Sequence, residues 1–261
     1  MVACKRRRTR RFVETARRSL GAAAKAGRDV CVSEYVAGRH AGDFTEAWAL
    51  VDNIPGWLGR TNAAALFDIV LQQRPRTIVE IGSFLGRSTV LLALAAKRAG
   101  AESVVVAVDP HTGDRQQLER LGTDTLPSFA LFQEHCRAAG VADIIRPVVA
   151  TSADAAKDWR DDIDLLYVDG WHSYDAVVAD GRAWLPHLIP GGVAVFDDYV
   201  AYPQVGRAIH DLTSVAQFHL WANLFGQAIG GKVPIPVPGV QRSVRAARLL
   251  KPLYGQAEPD R

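Results

Sequence analysis

Three carboxylates and an imidazole cluster in two short segments, each following an apolar run. Leu166-Tyr167-Val168 leads into Asp169-Gly170-Trp171-His172-Ser173-Tyr174, and Val195-Phe196 leads into Asp197-Asp198-Tyr199. If the two runs are neighbouring strands, their ends lie about 5 Å apart and the carboxylates meet at one sheet edge. Unpaired, they would repel and raise one another's pKa. A divalent cation removes that conflict, and hard oxygen donors of this kind suit Mg²⁺, with water or acceptor oxygens completing an octahedron. Successive strand residues point to opposite faces. The sequence therefore leaves open whether Asp197, Asp198 or both reach the ion, since either can instead cap the next helix. His172, with an ordinary pKa of about 6.5, suits proton transfer at neutral pH; its alternatives are support of the ion site or a place at the helix start.

A second constellation lies earlier, in Glu80-Ile81-Gly82-Ser83-Phe84-Leu85-Gly86-Arg87-Ser88. Gly82 and Gly86 mark a turn from strand to helix where a ligand can approach the backbone closely. A dinucleotide loop would read Gly-x-Gly-x-x-Gly with its pyrophosphate on a helix N-terminus. The spacing here is Gly-x-x-x-Gly, which weighs against a nicotinamide dehydrogenase. Asp109, 29 residues after Glu80 and at the end of the next apolar run, stands where a carboxylate accepts hydrogen bonds from both ribose hydroxyls. Its other reading is a turn residue before Pro110.

These residues need a scaffold of alternating elements. The pattern predicts two helices within 44–73 around Ile54-Pro55-Gly56-Trp57. It then predicts strands at 77–81, 103–108, 144–149, 164–168 and 193–196, with helices at 87–99, 128–139, 174–188 and 204–212. A turn is expected at Pro190-Gly191-Gly192 and a late strand pair at 217–224 and 227–229. Short apolar strands alternating with helices imply an α/β fold. Its sheet is doubly wound and mostly parallel, covered by helices on both faces, with ligands beyond the carboxyl ends of the strands.

The run Val79-Glu80-Ile81-Gly82-Ser83 with Gly86 and Ser88, followed by Asp109, resembles the first two motifs of class I S-adenosylmethionine-dependent methyltransferases. The resemblance implies a seven-stranded Rossmann-like sheet. It also implies that Gly82 and its neighbours face the methionine part of the cofactor, that Glu80 supports the loop, that Asp109 binds ribose, and that Ser152-Ala153-Asp154 contacts adenine. The segment from Asp169 through Trp184, Pro190-Gly191-Gly192 and Asp197-Asp198-Tyr199 is similar to bacterial metal-dependent sugar and natural-product O-methyltransferases. It is also similar to catechol-type and cephalosporin-hydroxylase-like proteins. Carried over, this makes Asp169, Asp197 and Asp198 metal ligands, with Asp169 also at the cofactor and in catalysis. Catechol-type enzymes place a lysine base at the offset of His172, so His172 is the expected base and His111 its reserve. Trp57, His111, Tyr199 and Tyr202 are expected near the acceptor. The resemblance spans roughly residues 50–215.

The expected reaction is Mg²⁺-dependent methyl transfer to a hydroxyl of a sugar or saccharide-containing acceptor. A phenolic or catechol acceptor is the first alternative. A nucleic-acid methyltransferase and a non-catalytic binding module are further ones.

The charge distribution bears on these alternatives. Residues 1–18 hold eight basic side chains and one acid, a net +7, so the rest of the chain, within a total of +3, carries −4. An acidic body argues against a dedicated nucleic-acid enzyme, although a basic arm can touch acidic partners. The expected organisation is a basic arm over 1–43, a methyltransferase domain over 44–230 and a Pro/Arg-containing tail over 231–261. These flanks offer surfaces for homo-oligomer contacts. No apolar run has the roughly 20 residues of a membrane span, and the basic start lacks the apolar stretch of a signal peptide. Three scattered cysteines fit a reducing compartment. Together these give a cytoplasmic expectation, and the Ala, Arg and Gly content suggests a bacterial source.

Overall fold

The structure, a computed structural model, describes residues 40–113 and 127–234. Most of the expected arm and tail lie outside these. Residues 41–43 begin helix α1 (Ala41–Val51), and Gly231 is the last residue of a strand.

Helix α2 (Arg60–Gln73) ends at Arg74, whose left-handed backbone and following Pro75 cannot continue it. Strand β1 (Thr77–Ile81) is a run of β-branched residues around Glu80. Helix α3 (Arg87–Ala99) starts after Gly86 and stops at left-handed Gly100, with Lys97 and Arg98 in its last turn. The order continues with β2 (Val104–Val108), α4 (Ser128–Ala138), β3 (Ile145–Val148), α5 (Ser152–Lys157), β4 (Ile163–Val168), α6 (Tyr174–Trp184), β5 (Leu188–Phe196), α7 (Pro203–Val215), β6 (His219–Leu224) and β7 (Gln227–Gly231).

Two expectations are corrected here. The helix predicted to reach Leu188 ends at Trp184, because Pro186 lacks the N–H an α-helix needs; Leu185–His187 form a single 3₁₀ turn instead. Pro190-Gly191-Gly192 is not a turn before β5 but lies inside it. The register jumps there, from Ile163 opposite Leu188 to Leu165 opposite Val193, so the extra residues bulge out of the ladder.

The seven strands form one sheet in the order β3-β2-β1-β4-β5-β7-β6, parallel except for β7, which is antiparallel to β5 and β6. Alternate strand residues feed two cores. Ile78, Leu165, Tyr167 and Val195 pack with Phe44, Leu66, Leu91 and Phe132 on one face. Val79, Leu166, Val168 and Phe196 pack with Val177, Trp184, Ile209 and Leu212 on the other. The sheet thus fixes the ends of β1, β2, β4 and β5 rigidly, and the candidate residues stand at those ends.

Candidate active site

The chain leaves β1 towards β2 on one side and returns to β4 on the other, so the carboxyl ends of β1 and β4 border the switch-point crevice of the sheet. Gly82 sits in that crevice with φ +90°. A Cβ built on it would stand 2.1 Å from the carbonyl oxygen of Asp169. Only glycine allows the loop after β1 to press against the loop after β4, where Asp169 N–H also donates to Ile81 O at 2.9 Å. Gly86, likewise at φ +90°, places α3 beneath the loop. Phe84 is left-handed too, with φ 45°, and its N–H donates to Asp109 Oδ2 at 2.8 Å.

Asp109 takes a second backbone donor, His111 N–H, at 2.7 Å on Oδ1. Its carboxylate therefore ties the two loops after β1 and β2 together while keeping further lone pairs. Glu80 is fully buried and accepts from Thr89 Oγ1, but its Oε1 has no partner, nor has the buried Ser83 hydroxyl. Burial pushes Glu80 up to about 8, against the pull of the Ser88 and Thr89 hydroxyls.

Other expected residues make contacts within the protein. The His111 side chain is 3% exposed and packs against Phe129 and Phe132, with its pKa lowered by burial. Ser152 donates to Asp180 and accepts from Trp184 Nε1. Asp154 is exposed and pairs with Lys157 and Thr151, and Ala153 lies between them on α5. The Tyr199 hydroxyl is 2.9 Å from His210 Nε2.

At the ends of β4 and β5 the structure gathers Asp169, His172 and Asp198, whose ligating atoms all lie within 4.8 Å of one another. His172 Nε2 is 2.8 Å from Asp198 Oδ2 and 3.9 Å from Asp169 Oδ1. The 2.8 Å approach lacks the alignment of an N–H···O hydrogen bond, so Nε2 is buried without a hydrogen-bond partner. Tyr202 stacks on the imidazole at 4.5 Å. The three side chains are 25–36% exposed, so water reaches the cluster. Burial raises Asp169 to about 7, with Asp197 and Asp198 adding to the effect and His172 opposing it. The carboxylates of Asp169 and Asp198 raise His172 to about 9. In the ion-free cluster, therefore, the imidazole holds its proton at neutral pH.

Asp197 is not in this group. Its Oδ2 accepts from Tyr167 OH at 2.6 Å and Gln227 Nε2 at 3.2 Å, and its Oδ1 from Asn62 Nδ2 at 3.3 Å and Asp198 N–H at 2.8 Å. Tyr167 OH also lies 3.2 Å from Asp169 Oδ2. Sequence reasoning missed Asn62, Tyr167 and Gln227. Tyr167 reads as one more apolar strand residue, and nothing local marks the two amides. It also missed Arg87, which binds Gly56 O and Asp52 and lies over Trp48, holding the 52–57 turn against the loop after β1. Trp57 stacks on Phe84 there at 5.4 Å and is 53% exposed.

Residues 79–199 match the protein family described as "Methyltransferase domain". The fold agrees with an SAH-bound methyltransferase from Podospora anserina (14% identity, 72% of this chain and 87% of that one, TM-score 0.55). It also agrees with an O-methyltransferase from Bacillus cereus in complex with SAH (16% identity, 76% and 95%, TM-score 0.53). These likenesses show a fold shared with those methyltransferases, and the family match covers 79–199 of the 261 residues. Among curated proteins the chain is similar to an uncharacterized protein of Acanthamoeba polyphaga mimivirus, 28% identical over 146 residues. It is also 32% identical over 126 residues to an uncharacterized protein of Sinorhizobium fredii. The matched segments are 54% and 48% of this chain but span only 61% and 13% of those relatives. Among the described residues no helix is long and apolar enough to cross a membrane.

The residues present fit both groups the sequence resemblance implies. The unpartnered Glu80 Oε1 and Ser83 Oγ suit a ligand that brings a donor into the loop, as the ammonium of the methionine part of S-adenosylmethionine does. The unaligned His172 Nε2, flanked by two carboxylates, suits a shared cation.

Proposed function

We propose that the protein transfers a methyl group from S-adenosylmethionine to a hydroxyl of a sugar or other vicinal-diol acceptor, aided by a divalent cation at the ends of β4 and β5. The observation that carries the proposal is the contact between the two half-sites: Gly82 of the cofactor loop lies against the backbone of Asp169, the first residue of the cation cluster. Acceptor oxygen and methyl donor are thereby brought together, and orientation supplies much of the acceleration.

In the reaction the acceptor oxygen forms a bond to the methyl carbon, the sulfur–carbon bond breaks, and its electron pair stays on sulfur as S-adenosylhomocysteine forms. An aliphatic hydroxyl is a poor nucleophile, and a cation beside it supplies the charge that stabilises the developing alkoxide. The proton goes to water in the open mouth of the cluster. His172 is not assigned as the base, because its Nε2 lies 2.8 Å from Asp198 and 3.9 Å from Asp169, where the cation would take it. Asp109 binds ribose with the lone pairs its backbone contacts leave free. Trp57 and Trp171, 53% and 59% exposed, offer flat faces to a ring-shaped acceptor.

Calorimetric titration with S-adenosylhomocysteine, followed by methyl transfer to a sugar and catechol panel with Mg²⁺ or EDTA, tests the proposal. Binding with cation-dependent transfer to sugars is expected. Transfer to catechols alone would move the acceptor class, turnover indifferent to EDTA would remove the cation, and absence of binding would overturn the enzyme reading.

A further inference from the structure

We infer that the cation is held by Asp169, His172 and Asp198, that Asp197 is a positioning residue and not a ligand, and that the imidazole turns the site towards Mn²⁺-class ions over Mg²⁺. This rests on the cation-dependent reading above and differs from the three-carboxylate set that the sequence resemblance implies.

The first support is donor geometry. Around an ion with bonds of about 2.1 Å, neighbouring donors of an octahedron stand about 3 Å apart and opposite ones about 4 Å. His172 Nε2 lies 2.8 Å from Asp198 Oδ2 and 3.9 Å from Asp169 Oδ1, within that range. Two polar atoms at 2.8 Å that fail to align as donor and acceptor are spaced as neighbouring ligands of one ion are. Three donors leave three octahedral positions for water and acceptor oxygens.

The second support is the saturation of Asp197. A carboxylate offers about four acceptor positions. Four donors fill them here: Asn62 from α2, Tyr167 from β4, Gln227 from β7 and the backbone N–H of Asp198. To bind an ion, Asp197 must abandon contacts drawn from three separate elements. What it does instead is hold its neighbours. It fixes Asp198, whose φ of 57° turns that side chain into the cluster, and through the shared Tyr167 hydroxyl it reaches Asp169 Oδ2. The third support is the donor set: two carboxylate oxygens suit Mg²⁺ and Mn²⁺ alike, whereas a neutral imidazole favours the transition metals.

Mn²⁺ titration of the full chain followed by electron paramagnetic resonance, with electron-spin-echo modulation to detect directly bound ¹⁴N, reads the ligand set without turnover. The expected result is one bound Mn²⁺ with ¹⁴N modulation and weaker binding of Mg²⁺ in competition. His172→Gln should abolish the modulation, shrink the Mn²⁺ preference and, like Asp169→Asn and Asp198→Asn, weaken Mn²⁺ by at least about tenfold. Asp197→Asn and Tyr167→Phe should keep the modulation and weaken binding less than any of those three variants, by about tenfold. S-adenosylhomocysteine affinity and the thermal midpoint of each variant report whether it has folded. Bound Mn²⁺ without ¹⁴N modulation, or a folded Asp197→Asn that loses Mn²⁺ as fully as Asp169→Asn, overturns the inference and leaves the proposed function standing. A wild-type chain that binds no Mn²⁺ overturns both.

Discussion

The two halves of the site are built on opposite plans. At the ends of β1 and β2 the charged group is satisfied by the protein itself: Asp109 accepts from the N–H groups of Phe84 and His111, and the loop is shaped before any ligand arrives. At the ends of β4 and β5 the polar atoms are gathered but not satisfied. His172 Nε2 has no aligned partner, and Asp169 is driven to hold a proton near neutrality. The first half resembles a mould and the second a spring compressed by charge. The lesson is that cofactor affinity should depend on backbone shape and little on pH, whereas cation affinity should depend strongly on protonation.

The variant that breaks both halves should have the largest effect. Gly82→Ala puts a methyl group on the carbonyl of Asp169. Calorimetry should show S-adenosylhomocysteine binding weakened by about 100-fold or more, about 3 kcal/mol, with Mn²⁺ binding impaired as well. Asp169→Ala separates the halves: Mn²⁺ binding should be lost while S-adenosylhomocysteine affinity stays within about threefold. If both fall together, the plans are one.

A third test exploits pH. Asp169, raised to about 7, and His172, raised to about 9, must both shed protons before they ligate an ion. Protons compete with metal below those values, so Mn²⁺ affinity should climb from pH 6 to pH 9. S-adenosylhomocysteine affinity should change far less over the same range.

Glu80 gives a smaller effect on stability. Its folded pKa of about 8 lies above its ordinary 4.5, so the native state holds a proton the unfolded chain releases. Its contribution is most favourable below pH 4.5 and is lost as pH rises to about 8, by up to about 1.4 kcal/mol per pH unit. Thermal melts of Glu80→Gln against wild type should show a shallower decline over that window. The smallest effect belongs to Arg87→Ala, which frees the 52–57 turn from the cofactor loop and should weaken S-adenosylhomocysteine binding only a few-fold, about 1 kcal/mol.

The sequence made the doubly wound fold and the Gly82 loop legible because both are local patterns: apolar periodicity, a glycine spacing, an acid at a strand end. The meeting of Asp169 with Asp198 was readable from the adjacency of β4 and β5. What could not be read was which of Asp197 and Asp198 faces the cluster. That choice is made by Asn62 and Gln227, 135 and 30 residues away in the chain, and by a left-handed backbone at Asp198 that no residue type announces. The His172 proton was hidden for the same reason, since its retention depends on a carboxylate 26 positions away. The bulge at Pro190-Gly191-Gly192 mimicked a turn because the same residues serve both.

Asn62 and Gln227 lie outside residues 79–199, the stretch that matches the methyltransferase family. The unit that inheritance recognises is thus smaller than the unit that works. A graft of the matched stretch onto another scaffold would carry every charged residue of the cluster and lose both amides that hold Asp197. Recombination that moves this domain between proteins must bring along the helix before it and the hairpin after it, or deliver a site whose parts are present but unaligned.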